Sequence, residues 1–115
     1  MTDWSDVVAV ALALEGTELG TSYGQPAIKC ASNGRALLST GGQAAPAFCL
    51  HLDFDTVKML IETNPDTYFQ TPHYAGWPTV LVRYGSGDPE RVKAMIGQAH
   101  AFAAVRPKVK ARNAR

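Results

Sequence analysis

Apolar positions along this chain recur at two spacings, and the switches between them outline its elements. Trp4, Val7, Val8, Ala11 and Leu12 fall on one face at helical spacing, which predicts a first helix over about residues 3–14 with Thr2 as N-cap and Gly16 as terminator. Ala9, Val10 and Leu14 add apolar positions outside that face, so the helix is expected to be buried on more than one side. A second helix is expected to begin at Asp55, whose carboxylate would cap the first turn while Phe54 and Met59 form a hydrophobic staple. Asn64 and Pro65 stop it. The third opens at Asp88-Pro89, an N-cap followed by proline at the first helical position, and presents Val92, Met95, Ile96, Ala99 and Phe102 before Pro107 ends it.

Between the helices the pattern becomes that of short strands. Residues 26–31 and 35–40 flank Ser32-Asn33-Gly34, and Asn-Gly is a strong hairpin signal because both residues tolerate positive φ. Residues 47–52 form a third strand after the Gly- and Ala-rich connection 41–46. A fourth near residues 67–70 leads through a proline-bracketed turn into a fifth at residues 79–84. The order helix, three strands, helix, two strands, helix makes the expected fold α+β, a single-domain antiparallel sheet packed by helices. Repeats, low-complexity blocks and linkers are absent from the sequence.

Composition narrows the class. A chain of 115 residues with 46% hydrophobic and 18% charged residues suits one globular domain with one core. The longest apolar run, residues 7–14, is too short to cross a bilayer and lacks the basic flank and cleavage site of a signal peptide, so a cytoplasmic protein without membrane contact is expected. Cys30 and Cys49 lie in separate apolar strands with no C-x-x-C spacing, which favours two reduced core thiols over a disulfide. The net charge of +1 hides an asymmetry: Arg106, Lys108, Lys110, Arg112 and Arg115 follow Val105 with no acid, leaving a body of net −4. Residues 1–105 therefore read as the domain and residues 106–115 as a basic tail, able to contact phosphates or simply to be solvated.

The densest candidate chemistry lies in residues 71–82, T-P-H-Y-A-G-W-P-T-V-L-V. Pro72 and Pro78 fix φ, Gly76 permits turn geometry closed to other residues, and His73, Tyr74 and Trp77 are presented ahead of a buried strand. That arrangement fits either a binding surface or an aromatic corner closing the core. Other motifs are weaker. Gly20-Thr21-Ser22-Tyr23-Gly24 matches G-x-S-x-G, but Gln25-Pro26 leads into a strand where a nucleophile elbow needs a helix. The glycines around Ser86 could cradle an anion, yet Asp88 and Glu90 would repel it. His51, Asp53 and Asp55 alternate at a strand end, and the two aspartates are better used at a helix start. No catalytic residue, metal site or cofactor is expected, and the chain is read as a non-enzyme.

Two segments together carry a family resemblance. T-S-Y-G-Q-P-A-I-K at residues 21–29 and the residues 71–82 just quoted resemble the paired signatures of the MmcQ/YjbR-like family, and Asp88-Pro89 with its amphipathic helix fits the same pattern. Ile28 stands where that family often has phenylalanine, which keeps an apolar strand position. The resemblance covers nearly the whole chain. It implies a small bacterial-type protein with an α+β fold similar to the CyaY-like (frataxin-like) or double-wing arrangement, and a candidate DNA-binding or regulatory function without catalysis. On that reading the Asn33-Gly34 hairpin and the 72–78 turn act as wings, Lys29, Arg35 and Arg83 supply charge, and Arg106, Lys108, Lys110 and Arg112 add phosphate contacts. The alternative is a small-ligand or protein-interaction domain with a pocket around Tyr23, His73, Tyr74 and Trp77, whose rings would stack on a planar partner. DNA binding asks for the basic residues on one face; a ligand site asks for a concavity.

Overall fold

A computed structural model describes residues 3–22, 24–40, 47–72, 74 and 76–107. The elements run α1 (Trp4–Leu12), β1 (Thr17–Ser22), β2 (Gln25–Cys30), β3 (Ala36–Thr40), β4 (Ala47–His51), α2 (Phe54–Thr63), β5 (Tyr68–Phe69), β6 (Thr79–Arg83) and α3 (Pro89–Ala104). The six strands form one sheet in the order β1-β2-β3-β4-β6-β5, antiparallel at every pairing. This is the expected α+β class with one strand more. Among the described residues no helix is long and apolar enough to cross a membrane.

Strand alternation sorts side chains to the two faces of the sheet, and all three helices cover the same face. Ile28, Cys30, Leu38, Phe48, Leu50, Val80, Val82 and Tyr68 point inward against Val7 and Ala11 of α1, Val57 and Leu60 of α2, and Val92, Ile96, Ala99 and Ala103 of α3. At the step from Ile28 to Lys29 the partner moves from Leu38 to Ala36, so β3 carries one extra residue, Leu37, which joins the same core. The outer face carries a second, smaller cluster of Ala47, Cys49 and Leu81 with Phe69 and Tyr74 packed on it. Cys30 and Cys49 are free and buried on opposite faces, which excludes a bond between them.

The helix starts follow local chemistry, with two shifts from expectation. The Asp3 carboxylate accepts from the Asp6 amide and caps α1, one residue later than Thr2. Asp53 caps α2, two residues earlier than Asp55: it accepts from the Thr56 amide at 3.1 Å and the Thr56 hydroxyl at 2.6 Å, which hold its carboxyl below the usual range. With the cap at Asp53 the staple positions become Leu52 and Val57, both buried, and Phe54 is left in solvent. Asp88 caps α3 as expected, with Pro89 in the first turn.

The unforeseen strand is β1, which pairs with β2 over its full length. Thr17 ties it to the preceding helix by donating to the carbonyls of Ala11 and Leu14. Ser22 therefore ends a strand and enters a hairpin, a context without the strand-to-helix bend of a nucleophile elbow. At the next hairpin, Gly34 takes φ 73° and its amide bonds the Cys30 carbonyl, closing a four-residue loop. Asn33 in that loop is only 7% exposed. Its amide donates to the carbonyls of Ala103 and Arg106 at 2.8 and 3.2 Å, and its Oδ1 accepts from the Arg35 amide. The two amide contacts dock the hairpin on the C-terminus of α3, so it does not project as a wing.

Candidate functional site

The turn between β5 and β6 is built by backbone hydrogen bonds and one side chain. Tyr74 and Trp77 amides donate to the carbonyls of Thr71 and Tyr74 at 2.9 Å each, and Gly76 supplies φ 85° between them. Gln70 Nε2 faces three carbonyl oxygens, those of Thr79 at 2.8 Å and of Tyr74 and Trp77 at 3.3 Å. Three acceptors around one amide nitrogen fix its orientation and tie both ends of the turn to β5.

The turn splits the aromatic set. Tyr74 faces inward: its ring packs on the outer sheet cluster and its hydroxyl meets Cys49 Sγ at 3.3 Å. That hydrogen bond, with burial, pushes the phenol up to about 12, and burial also raises the Cys49 thiol. Trp77 faces outward and is 63% exposed. His73 and Tyr23 lie outside the described residues.

Opposite Trp77 stands the outer stripe of α2. Phe54, Lys58, Ile61 and Glu62 recur at helical spacing beside the core stripe of Val57 and Leu60, and Phe54 is 57% exposed. Between this stripe and Gln70, Gly76 and Trp77 lies an open groove of about 350 Å³, rimmed also by Asp55. Its lining is mostly apolar and includes two aromatic rings, those of Phe54 and Trp77. None of Asp55, Lys58 and Glu62 makes an ion pair among the described residues, so their charges remain available to a ligand. The α2 residues were missed in sequence; the signal was more apolar residues in the helix than one buried stripe needs.

Lys29, Arg35, Arg83 and Arg106 do not line this groove; Arg35 and Arg106 meet at the end of α3, and Arg83 stands apart from them. Lys29 and Arg83 share the outer face of the sheet, but on β2 and β6, three strand spacings apart and at opposite ends of their strands. Strand geometry puts them roughly 22 Å apart. The Arg83 guanidinium stacks 4.0 Å over Phe69, and Lys29 lies along Gly20. Arg35 donates through Nε to the Pro107 carbonyl at 2.7 Å, and Arg106 stacks on Phe102. Lys108, Lys110 and Arg112 lie outside the described residues.

His51 and Asp53 likewise form no shared site. His51 Nδ1 pairs with Thr79 Oγ1 at 3.1 Å on the outer face, whereas both Asp53 oxygens serve Thr56. His51 Nε2 is buried without a hydrogen-bond partner, and burial, helped by the nearby Arg106 charge, lowers the imidazole to about 4. No group of three His, Cys, Asp or Glu residues suited to a metal occurs among the described residues.

Comparison with protein-family models, curated proteins and solved structures yields no match.

Proposed function

We propose that this domain is a non-catalytic binding module that takes a small planar ligand in the groove between α2 and the 70–78 turn. The observation that carries the reading is the pair of exposed aromatic rings, Phe54 and Trp77, on either side of one apolar concavity. Leaving a tryptophan largely in water forgoes burial worth about 2 kcal/mol or more, and the turn that carries it is tied down at the Trp77 carbonyl by Gln70. Two flat rings in the lining favour a planar, weakly polar ligand, and Asp55, Lys58 and Glu62 beside them provide its polar contacts. The distance of Arg83 from Lys29 and Arg35, with Arg83 stacked on Phe69 and Arg35 hydrogen-bonded to the Pro107 carbonyl, weighs against a DNA surface on the body. Membership of the MmcQ/YjbR-like family, with its CyaY-like or double-wing arrangement, belongs to the same proposal and rests on the two sequence signatures.

The test is amide-resolved NMR titration with a panel of planar heteroaromatics of purine, isoalloxazine and indole type. Binding should perturb Phe54, Lys58, Ile61, Gly76 and the Trp77 indole together. Trp77→Ala should weaken it about tenfold or more while leaving the denaturation midpoint nearly unchanged, because an exposed ring contributes little to the core. No perturbation at the groove by any member at millimolar concentration would overturn the reading. Salt-dependent anisotropy with duplex DNA that responds to Lys29, Arg35 and the tail, but not to Trp77, would put the DNA reading in its place.

A further inference from the structure

The two edges of the sheet are unequal. β5 offers only Tyr68–Phe69 at one edge, whereas β1 offers six residues at the other, and no described residue pairs with its outer side. Long edges are usually blunted by proline, a bulge or an edge lysine. β1 has none of these: its register with β2 is unbroken from Thr17 to Ser22, its one charged residue is Glu18, and Leu19 is 62% exposed. The hydrogen bond from the Ala31 amide to the Gly16 carbonyl sets the phase of the ladder. Gly16, Glu18, Gly20 and Ser22 direct their backbone groups to β2, so Thr17, Leu19 and Thr21 direct theirs outward.

We propose that β1 pairs antiparallel with β1 of a second copy of this chain about a two-fold axis at Leu19, joining the two sheets into one. The register follows from the phase, because outward backbone groups must meet outward groups. Centring on Leu19 uses all three on each strand: Leu19 opposes Leu19, and Thr17 opposes Thr21. Glu18 then opposes Gly20 of the second copy, which avoids a like-charge pair.

Charge placement supports this register over others. Glu18 and Lys29 are cross-strand partners within the chain, yet they make no ion pair; the Lys29 stem instead crosses Gly20, where an added Cβ would lie 3.2 Å from its Cδ. Glycine keeps that path over the edge strand open. The ammonium thus leans toward the free edge, where the second copy's Glu18 arrives beside Gly20, and two symmetric Lys29–Glu18 pairs form across the interface. The groove lies beside β5 and β6 at the other edge of the sheet, so pairing leaves it open in both copies.

Sedimentation velocity from low to high micromolar protein tests the proposal. The expected result is a concentration-dependent species of twice the 12.3 kDa chain mass. Leu19→Lys should reduce it to monomer without loss of fold, judged by far-UV circular dichroism and melting, since Leu19 is exposed. Thr21→Pro, which removes an outward amide only, should do the same. Glu18→Lys and Lys29→Glu should each weaken association roughly tenfold, and the double swap should restore it. Monomer throughout the range, a dimer that Leu19→Lys and Thr21→Pro leave intact, or a double swap no tighter than the single changes would each overturn the proposal.

Discussion

Lowering the pH should destabilise this domain through His51. The imidazole is ordinary in the unfolded chain, titrating near 6.5, but is held to about 4 in the fold by burial and by the Arg106 charge. Below pH 6.5 the unfolded state therefore takes up a proton that the folded state refuses. The stability His51 confers as a neutral group is complete above pH 6.5 and is lost progressively as pH falls through 4. Full titration of that gap corresponds to about 3 kcal/mol, of which about 2 kcal/mol should be lost between pH 8 and pH 5. For a domain whose total stability is on the order of 5–15 kcal/mol, such a loss is large. Urea denaturation at a series of pH values measures it, and His51→Asn is the reference. The Asn amide reproduces the position of Nδ1 beside Thr79 Oγ1 and removes the titration. Wild type should lose about 2 kcal/mol more than His51→Asn over that range. Parallel pH profiles, or a His51 resonance titrating near its ordinary value in the folded protein, would refute the reasoning.

Two further outcomes follow from side chains that hold loops. Asn33→Ala removes both amide contacts to the end of α3 and the acceptor for the Arg35 amide, so it should cost about 2 kcal/mol, read from the denaturation midpoint. An unchanged midpoint would mean the hairpin is not clamped there. Gln70→Ala frees the carbonyls of Tyr74, Trp77 and Thr79, and should speed amide hydrogen exchange in residues 71–79 at a stability cost of about 1 kcal/mol. Unaltered exchange in that segment would show that the backbone bonds alone order the turn.

Short-range chemistry made much of this fold legible. Asp88-Pro89, Asn64-Pro65 and Asn33-Gly34 act through bonds to residues a few positions away, so their effects survive in any tertiary setting, and α3, the end of α2 and the central hairpin stand where those residues put them. The cap of α2 slipped by two residues because Asp53 and Asp55 are locally equivalent; only the burial of Leu52 and Val57 chooses between them. β1 was not legible, because an edge strand with one apolar residue, Leu19, in six has almost no periodic signal, and its pairing with β2 alone makes it a strand.

The aromatic turn shows the same division. Its residues announced a constrained loop, but whether Tyr74 or Trp77 would face the sheet depended on the cluster of Ala47, Cys49 and Leu81, which comes from two strands joined through α2. The groove is likewise a product of packing, for it sets the outer stripe of α2 against a turn that begins seven residues beyond the helix end, and Phe54 lines it only because the earlier cap rotates that ring out of the core. The separation of Lys29 from Arg83 was equally invisible in order of sequence. Strand order decides it, since a sheet arranged β1-β2-β3-β4-β6-β5 separates β2 from β6 by three spacings whatever charges they carry.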